Sequence, residues 1–361
     1  MLKRVGLGAI LIAAFCFAWP LNGEEAKPEG YQVTVLGDVH FDGAEFHTGD
    51  PVSAARARER KRNLKMWEGK SRQLLETAAK QTAKTSAFAV QLGDISQGDC
   101  ETQELHAAML RAAFAAVKRP FADIPLFVVK GNHDVRGAKK QNDPVPAAQA
   151  LLPAVAKELG VTGLADGNYT YRKGKDLFIA VDGLTPAKKV TAFVRKALAD
   201  HADARYVILM THLPVLPVSV GNPFWLLPGW QEVAAMLETR KAVVLAAHTH
   251  AFSVTERKSD KGRLVQLVTT SMGSAWTPGH ALQVAFTREQ WRTAAGKKGE
   301  KDPKLAAKLA ALDKSGEFSG TVYKGKSGYT VLDIDDRRIE ARIFTDASGE
   351  PALTVTLVEN R

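Results

Sequence analysis

The feature that most constrains this chain is an apolar run that stops abruptly at the residues Gly131-Asn132-His133-Asp134. The preceding residues 126–129 are apolar and mostly β-favouring, which predicts a strand buried on both faces, as in a parallel sheet. A glycine and three polar side chains follow at once. An amide, an imidazole and a carboxylate are therefore presented together at the carboxyl end of a strand, where open α/β sheets place their active sites.

Four more apolar runs end in the same way, each at side chains that can bind a metal ion. Any one of these patterns could be a pair of packed core residues. Five in succession, each at a strand end, favour one shared site over five unrelated core positions. The candidate ligands in the other four are Asp38 and His40 after residues 31–36, Asp94 after 87–92, His212 after 206–211, and His248 and His250 after 242–247.

Asn132 joins those six residues to make seven oxygen or nitrogen ligands. One divalent ion rarely takes seven protein ligands of these types, whereas two ions that share a bridging carboxylate could use them all. Imidazole and carboxylate together suit Mn, Zn or Fe better than Ca or Mg. The sequence therefore predicts two divalent metal ions, a pair that generates hydroxide near neutral pH and clamps a phosphoryl group during in-line displacement.

Composition describes a globular protein whose surface attracts anions. Of the 361 residues, 45% are hydrophobic and 24% are charged, and the formal net charge is +10. That charge suits a phosphoester substrate, although nucleic acid and anionic lipid are anionic as well. We find no dedicated nucleic-acid module, no internal repeat and no feature that identifies a protein partner.

The N-terminus has the form of a secretory signal. Lys3 and Arg4 precede an apolar run, Val5–Phe17, which is short for a membrane span. We therefore expect residues 1–23 to be a signal peptide. The mature chain should begin between about residues 19 and 27 and be exported to the periplasm or the outside of the cell. Removal of the signal would leave Cys100 as the one cysteine, so no internal disulfide is expected.

The order of the predicted elements fits one α/β domain, residues 31–361. Residues 31–278 carry the motifs, and residues 299–361 add a C-terminal helix and β-hairpin. Two facing sheets with helices outside them explain this order. Two segments have alternative interpretations. The basic residues 53–84 are a helix with a solvated face or a patch for substrate phosphate, and residues 213–230 are a packed loop or a hydrophobic rim for a lipid or aromatic group.

In this order the five motifs resemble those of the calcineurin-like metallophosphoesterase superfamily, over residues 32–270. The resemblance implies a four-layer αββα sandwich, with two facing mixed sheets and the metal site at the carboxyl ends of the strands. The C-terminal hairpin would complete the second sheet. Ala247 stands where many members have glycine, and Gln97 stands where purple acid phosphatases have a tyrosine ligand. The second difference indicates the phosphodiesterase-type members rather than the purple acid phosphatases.

The resemblance also implies a role for each candidate residue. His133 would protonate the leaving oxygen or stabilise the transition state, and Asp134 would orient the ring of His133. In the implied reaction, a hydroxide that bridges the two ions attacks phosphorus. The implied ligands are Asp38, His40 and His250 for one ion, Asn132, His212 and His248 for the other, and Asp94 as the bridge between them.

We therefore expect an exported, two-metal phosphoester hydrolase. Two divalent ions bring four positive charges, the two aspartates remove two, and a bridging hydroxide removes a third. The remaining charge and one histidine acid suit a singly charged diester as well as a monoester, and we lean towards the diester. The alternatives are a phosphomonoesterase, a phospholipid or sphingolipid headgroup hydrolase, and, from another class, a non-catalytic scaffold of the same fold.

Overall fold

The computed structural model of the protein describes residues 30–49, 53–137, 142–218, 226–273, 283–300, 306, 310, 317–323, 327–345 and 349–360. The predicted signal peptide, residues 1–23, lies outside this part of the chain, as does most of the charged segment 299–314 that we expect to be helical. Among the residues described, no helix is both long enough and apolar enough to cross a membrane.

The described residues form fourteen strands in two mixed sheets. One sheet has the strand order β14-β13-β12-β1-β2-β3, and the other has the order β10-β11-β8-β9-β7-β6-β5-β4. The strands are β1 Tyr31–Leu36, β2 Ser86–Gln91, β3 Leu126–Val128, β4 Tyr169–Lys173, β5 Asp176–Val181, β6 Val207–Thr211, β7 Ala242–Ala246, β8 Phe252–Ser259, β9 Gly262–Val268, β10 Gln283–Thr287, β11 Glu317–Tyr323, β12 Tyr329–Ile334, β13 Arg338–Phe344 and β14 Leu353–Glu359.

Helices cover the outer faces of both sheets. Apolar side chains of α2, α3 and α4 join the core that contains the β1 sheet, and those of α5 and α6 pack on the outer face of the β6 sheet. A π-helical stretch, Trp67–Ser71, joins α1 to α2. The helices are α1 Ala54–Met66, α2 Arg72–Thr82, α3 Gln103–Lys118, α4 Val145–Leu159, α5 Ala187–Asp200, α6 Trp230–Glu238 and α7 Arg288–Gly299.

Strand β5 shows why the layers stack as they do. Its side chains alternate between the two faces of the sheet, and from Leu177 to Val181 both sets are apolar. Leu177 and Ile179 belong to the core under α5 and α6, whereas Phe178 faces the other sheet, with its ring centroid 5.0 Å from that of Phe88 in β2. A strand buried on both faces needs a layer on each side, so the expected αββα arrangement of mixed sheets and outer helices is confirmed.

The position of the C-terminal hairpin differs from our expectation. The hairpin β12–β13 does not extend the sheet of β6 and β7; it pairs antiparallel with β1, where Val33 lies opposite Leu332. Parallel pairing with β2 occupies only one edge of β1, and an uncovered edge leaves backbone groups unpaired. The hydrophobic pattern of a hairpin shows that it joins a sheet but does not show which edge it joins.

Candidate metal centre

The candidate metal centre lies where the carboxyl ends of parallel strands from both sheets meet. β1, β2 and β3 are parallel neighbours in one sheet, and β6 and β7 are parallel neighbours in the other. Backbone hydrogen bonds hold the loops together: the His40 N–H donates to the Asp94 carbonyl over 2.9 Å. The His248 N–H lies 3.2 Å from each oxygen of the Asp38 carboxylate, which joins a loop of one sheet to a loop of the other.

One group of candidate ligands contains Asp38, His40 and His250, whose ligand atoms lie within 4.8 Å of one another. His250 Nε2 is 3.1 Å from His40 Nε2 and 3.5 Å from Asp38 Oδ1. Two imidazole nitrogens and a carboxylate oxygen that converge in this way form a donor set suited to a transition metal or zinc.

A second group is arranged around His212. Its Nε2 atom lies 3.1 Å from Asn132 Oδ1 and 3.0 Å from His248 Nδ1. Its other ring nitrogen, Nδ1, lies 2.8 Å from the Leu92 carbonyl oxygen. Because a carbonyl can only accept, Nδ1 carries a proton, and Nε2 is the nitrogen that would bind a metal ion, as in many metal-binding histidines.

Asp94 lies between the two groups. Its Oδ2 atom is 3.3 Å from His212 Nε2 and 3.9 Å from His40 Nε2, while its Oδ1 atom accepts a 2.7 Å hydrogen bond from the His133 N–H. One carboxylate oxygen therefore faces ligand atoms of both groups. The structure brings all seven candidate ligands together, in the two sets that the family resemblance implies.

The backbone at this site adopts conformations that side chains other than glycine rarely take. Among the described residues, five that are not glycine have positive φ, and four of them are candidate ligands. Their φ angles are 49° at His40, 53° at Asp94, 69° at His248 and 53° at His250. Strain of this kind persists where the surrounding structure holds it and is concentrated at functional sites.

Burial keeps two of the four candidate imidazole ligands neutral, which is the form that binds a metal ion, whereas nearby aspartates outweigh burial and raise the pKa of His212 and of His250. Burial lowers the pKa of His40 and of His248 to about 4. Burial would also lower the pKa of His212, but the Asp94 carboxylate raises it to about 9. The pKa of Asp94 itself would be raised by burial, yet His212 and His133 hold it well below its usual range. Asp94 and His212 thus form a charged contact within the site.

His133 occupies a different environment from the seven candidate ligands. Its Nδ1 atom lies 2.9 Å from the Gln97 carbonyl oxygen, so Nδ1 carries the proton, and its Nε2 atom accepts a hydrogen bond from Arg136 Nη1 over 2.9 Å. Its ring centroid is 4.5 Å from that of His40. His133 therefore borders the candidate metal centre while protein groups occupy both of its ring nitrogens.

Asp134 does not orient the ring of His133, contrary to our expectation. Its Oδ1 atom accepts from the N–H and hydroxyl of Ser96, at 3.0 and 3.2 Å, and its Oδ2 atom accepts from the Gly131 N–H at 2.8 Å. The fully buried carboxylate thus joins the loops that carry Asp94 and Asn132. Asp134 is a positioning residue for the loops, and the Gln97 carbonyl holds the ring.

Sequence analysis missed a set of charged residues beside His133. One face of α1, the loop after β2 and Arg136 in the loop after β3 form a network of three arginines and three carboxylates, which we call the α1 ion-pair network. Hydrophobic periodicity gives no signal for such a face, because none of these side chains is apolar. The network contains Arg56, Glu59, Arg60, Asp99, Glu101 and Arg136.

The structure treats differently the two segments that have alternative interpretations, residues 213–230 and 53–84. In the described part of residues 213–230, Val215, Leu216, Val218 and Leu227 are buried in the core under α5 and α6, which favours the packed loop. The aromatic residues Phe224 and Trp225 lie outside the described residues. In α1, the basic residues at 58, 61, 62 and 65 are exposed, whereas Arg56 and Arg60 face the network.

The fold and the site together define a class of protein: a two-sheet α/β sandwich that collects histidine, aspartate and asparagine ligands at its strand ends. Residues 31–252 match the family model described as calcineurin-like phosphoesterase. Because this match covers more than half of the chain, the protein belongs to the calcineurin-like phosphoesterase family. It is a metal-dependent phosphoester hydrolase, and the family resemblance of the motifs is confirmed.

Solved structures with the same fold are distant in sequence, and at these identities they show the fold alone. The purple acid phosphatase PPD1 from yellow lupin (Lupinus luteus) seeds is 14% identical over 92% of this chain and 54% of that chain, with a TM-score of 0.55, so this chain spans about half its length. GAP50, the anchor in the inner membrane complex of Plasmodium, is 11% identical over 92% of this chain and 90% of its own, with a TM-score of 0.53. PhoD is 12% identical over 92% of this chain and 72% of its own, with a TM-score of 0.51. Comparison with curated protein sequences finds no match.

Proposed function

We propose that the protein is an exported phosphodiesterase that uses two divalent ions, of Mn, Zn or Fe. The observation that carries this proposal is the convergence of two groups of ligand atoms on one oxygen, Asp94 Oδ2. An ion in each group would share that carboxylate. Such a pair supplies activated water and neutralises charge on the phosphoryl group. The remaining tasks, which are orientation and proton transfer, belong to the side chains.

His133 is the residue proposed to hold or transfer a proton at the leaving oxygen. It follows the candidate ligand Asn132 directly, and one of its ring nitrogens lies within 4.8 Å of ligand atoms of His40 and Asp94. The Gln97 carbonyl fixes its Nδ1 proton, so Nε2 is the nitrogen that would carry a proton to the leaving oxygen; in the structure Nε2 accepts from Arg136, so it must first exchange that contact for a proton from solvent. General acid assistance of this kind typically contributes about 10²- to 10⁴-fold in rate.

Charge balance supports the diester over the monoester. The α1 ion-pair network beside His133 pairs three guanidinium groups with three carboxylates, so it adds no net positive charge. A doubly charged monoester would gain from an additional cation more than a singly charged diester would. The network therefore adds no net charge to that of a metal pair, which suits a diester.

The fold alone does not decide whether the protein is catalytic. GAP50, which shares the fold, is described as an anchor in a membrane complex of Plasmodium. A scaffold has no need of a complete ligand set, and here all seven candidate ligands are present and converge. A lipid-headgroup hydrolase has less support, because the described part of residues 213–230 is packed into the core.

A hydrolysis panel tests the proposed reaction. The purified protein, supplied with Mn, Zn or Fe, is offered aryl monoesters, aryl diesters, cyclic nucleotides and glycerophosphodiesters. We expect the highest kcat/KM on a diester, and loss of that activity in His212→Ala. A higher kcat/KM on monoesters would identify a phosphomonoesterase instead. Hydrolysis of no ester with any of the metals would favour the scaffold.

Export is proposed from Lys3 and Arg4 followed by the apolar run Val5–Phe17. Removal of this segment leaves β1, which begins at Tyr31, intact. We expect the intact mass of the protein recovered from outside the cytoplasm to correspond to a chain that begins between about residues 19 and 27. A full-length product confined to the cytoplasm would contradict export.

A further inference from the structure

Arg136 lies at the edge of the candidate metal centre and contacts the ring of His133. Its Nη1 atom donates to His133 Nε2 over 2.9 Å. The ring nitrogen that can face a substrate is therefore in contact with a guanidinium N–H. Any oxygen that comes within hydrogen-bond distance of Nε2 also comes within reach of this guanidinium group.

Two carboxylates from different elements hold the guanidinium in place. Arg136 Nη2 lies 2.7 Å from Asp99 Oδ2 in the loop after β2, and both Nη atoms lie 3.3 Å from Glu59 Oε1 in α1. The Arg136 residue is only 9% exposed, and its Nε atom has no hydrogen-bond partner among the described residues. Because a buried donor without a partner is costly, Nε has capacity for a further acceptor, whereas Nη1 already contacts His133 and Glu59, so an acceptor at Nη1 must displace one of these contacts.

The backbone around Arg136 fits closely against the loop that carries Asp99. The Asp99 N–H donates to the Arg136 carbonyl over 2.6 Å. At Gly98, which has a φ of 68°, an added Cβ would lie 2.5 Å from the His133 carbonyl oxygen and 2.7 Å from that of Arg136. His133 and Arg136 are therefore held by the same loop, so their relative position is part of the fold.

We propose that Arg136 is a catalytic residue that donates a hydrogen bond to the phosphoester oxygen contacted by His133, an inference that rests on the proposed function. When that oxygen binds, the Nη1–H turns from His133 Nε2 to the oxygen, so the oxygen accepts from the guanidinium and Nε2 is released to exchange a proton with solvent. The planar guanidinium fork suits phosphate geometry. Because Asp99 and Glu59 balance its charge, Arg136 contributes a directed donor for the charge that develops in the transition state.

Two substitutions of Arg136 test this inference, with Arg56→Gln as the matched control. Arg56 Nη1 also binds Asp99, at 3.2 Å, but Arg56 does not contact His133. We expect Arg136→Gln to keep its metal content and to lose about 10- to 100-fold both in kcat/KM and in affinity for orthophosphate measured by calorimetry, the effect of one hydrogen bond to a charged group. Arg136→Lys should recover part of the loss. Arg56→Gln should stay within about twofold of wild type, as for a partly exposed ion pair.

A double-mutant cycle with His133→Ala adds a second criterion. If both side chains contact one oxygen, the losses of His133→Ala and Arg136→Gln should be non-additive. Equal losses in Arg136→Gln and Arg56→Gln would overturn the proposal, because the losses would then come from disturbance of the α1 ion-pair network and not from a contact with the phosphoester. Unchanged orthophosphate affinity in Arg136→Gln would also overturn it.

The inference and the proposed function fail in different ways. If the wild-type protein hydrolyses no ester, the proposed function fails, and the orthophosphate titration still decides whether Arg136 binds phosphate. If Arg136→Gln loses metal, the orthophosphate titration is repeated with Arg136→Lys. This variant keeps the positive charge but lacks the planar guanidinium fork. Wild-type orthophosphate affinity in that variant would overturn the proposal.

Discussion

Single residues at the candidate metal centre are constrained by close backbone contacts as much as by ligand chemistry. Gly93 has a φ of 92°, and a Cβ added there would lie 2.5 Å from His212 Nδ1. At Gly131 an added Cβ would lie 2.2 Å from the Asp94 N and 2.3 Å from Asp94 Oδ1. The glycines that precede Asp94 and Asn132 therefore allow two ligand loops to approach each other.

Gly131→Ala should displace the Asp94 carboxylate, because no Cβ fits at 2.2 Å from its backbone nitrogen. We expect a lower metal content and a loss of about 10²-fold in kcat/KM, the typical effect of moving a catalytic group by an ångström. Metal analysis and kinetics of the purified variant measure both. Gly163→Ala is the control, since an added Cβ there meets nothing within 4 Å. Wild-type metal content and activity in Gly131→Ala would show that the contact is not needed.

The sequence identifies the candidate ligands but not every role among them. Short motifs at strand ends are sufficient to select the seven candidate ligands, because parallel strands bring their carboxyl ends together. The role of Asp134 was not accessible in this way. Its partners, Ser96 and Gly131, follow from how two loops meet, and no spacing within the motif indicates which donor a carboxylate will find.

At the scale of elements, the strands that deliver the ligands were predictable and the inner face of α1 was not. Apolar runs over β1, β2 and β7 predict buried strands directly. In α1, the residues that face the site are polar and helically spaced, so their pattern resembles a solvated face. Their partners are 34 to 77 positions away in sequence, and only the fold brings them together. The inward residues are Arg56, Glu59, Arg60 and Asn63.

Strands β10 and β11 were also missed. β11 contains a glycine, Gly320, where an added Cβ would lie 2.5 Å from the Phe286 ring of β10. Glycine, serine and threonine weaken the sequence signal of a strand, although here the glycine leaves room for a neighbouring aromatic ring. Pairing of β11 with β8 and β10 therefore depends on a tertiary contact that the local sequence does not show.

At the scale of the whole molecule, polar contacts between the sheets hold the two halves of the site in register. Tyr31 in β1 donates to Asp176 in β5 over 2.9 Å, and Arg205 binds the same fully buried carboxylate over 2.8 Å. Tyr169 in β4 donates to the Val128 carbonyl in β3 over 3.1 Å. Ligands from both sheets can form one centre only if the sheets keep a fixed relative position.

The central claim is that two ions share Asp94 across the junction of the two sheets, and the metal content per chain tests it most directly. We predict two ions per chain in the wild-type protein. Asp94→Asn should weaken both sites, because its Oδ2 faces both groups, whereas His212→Ala should mainly empty one, because His212 is central to the second group. Two tightly bound ions in Asp94→Asn, or a single ion in the wild-type protein, would contradict the account.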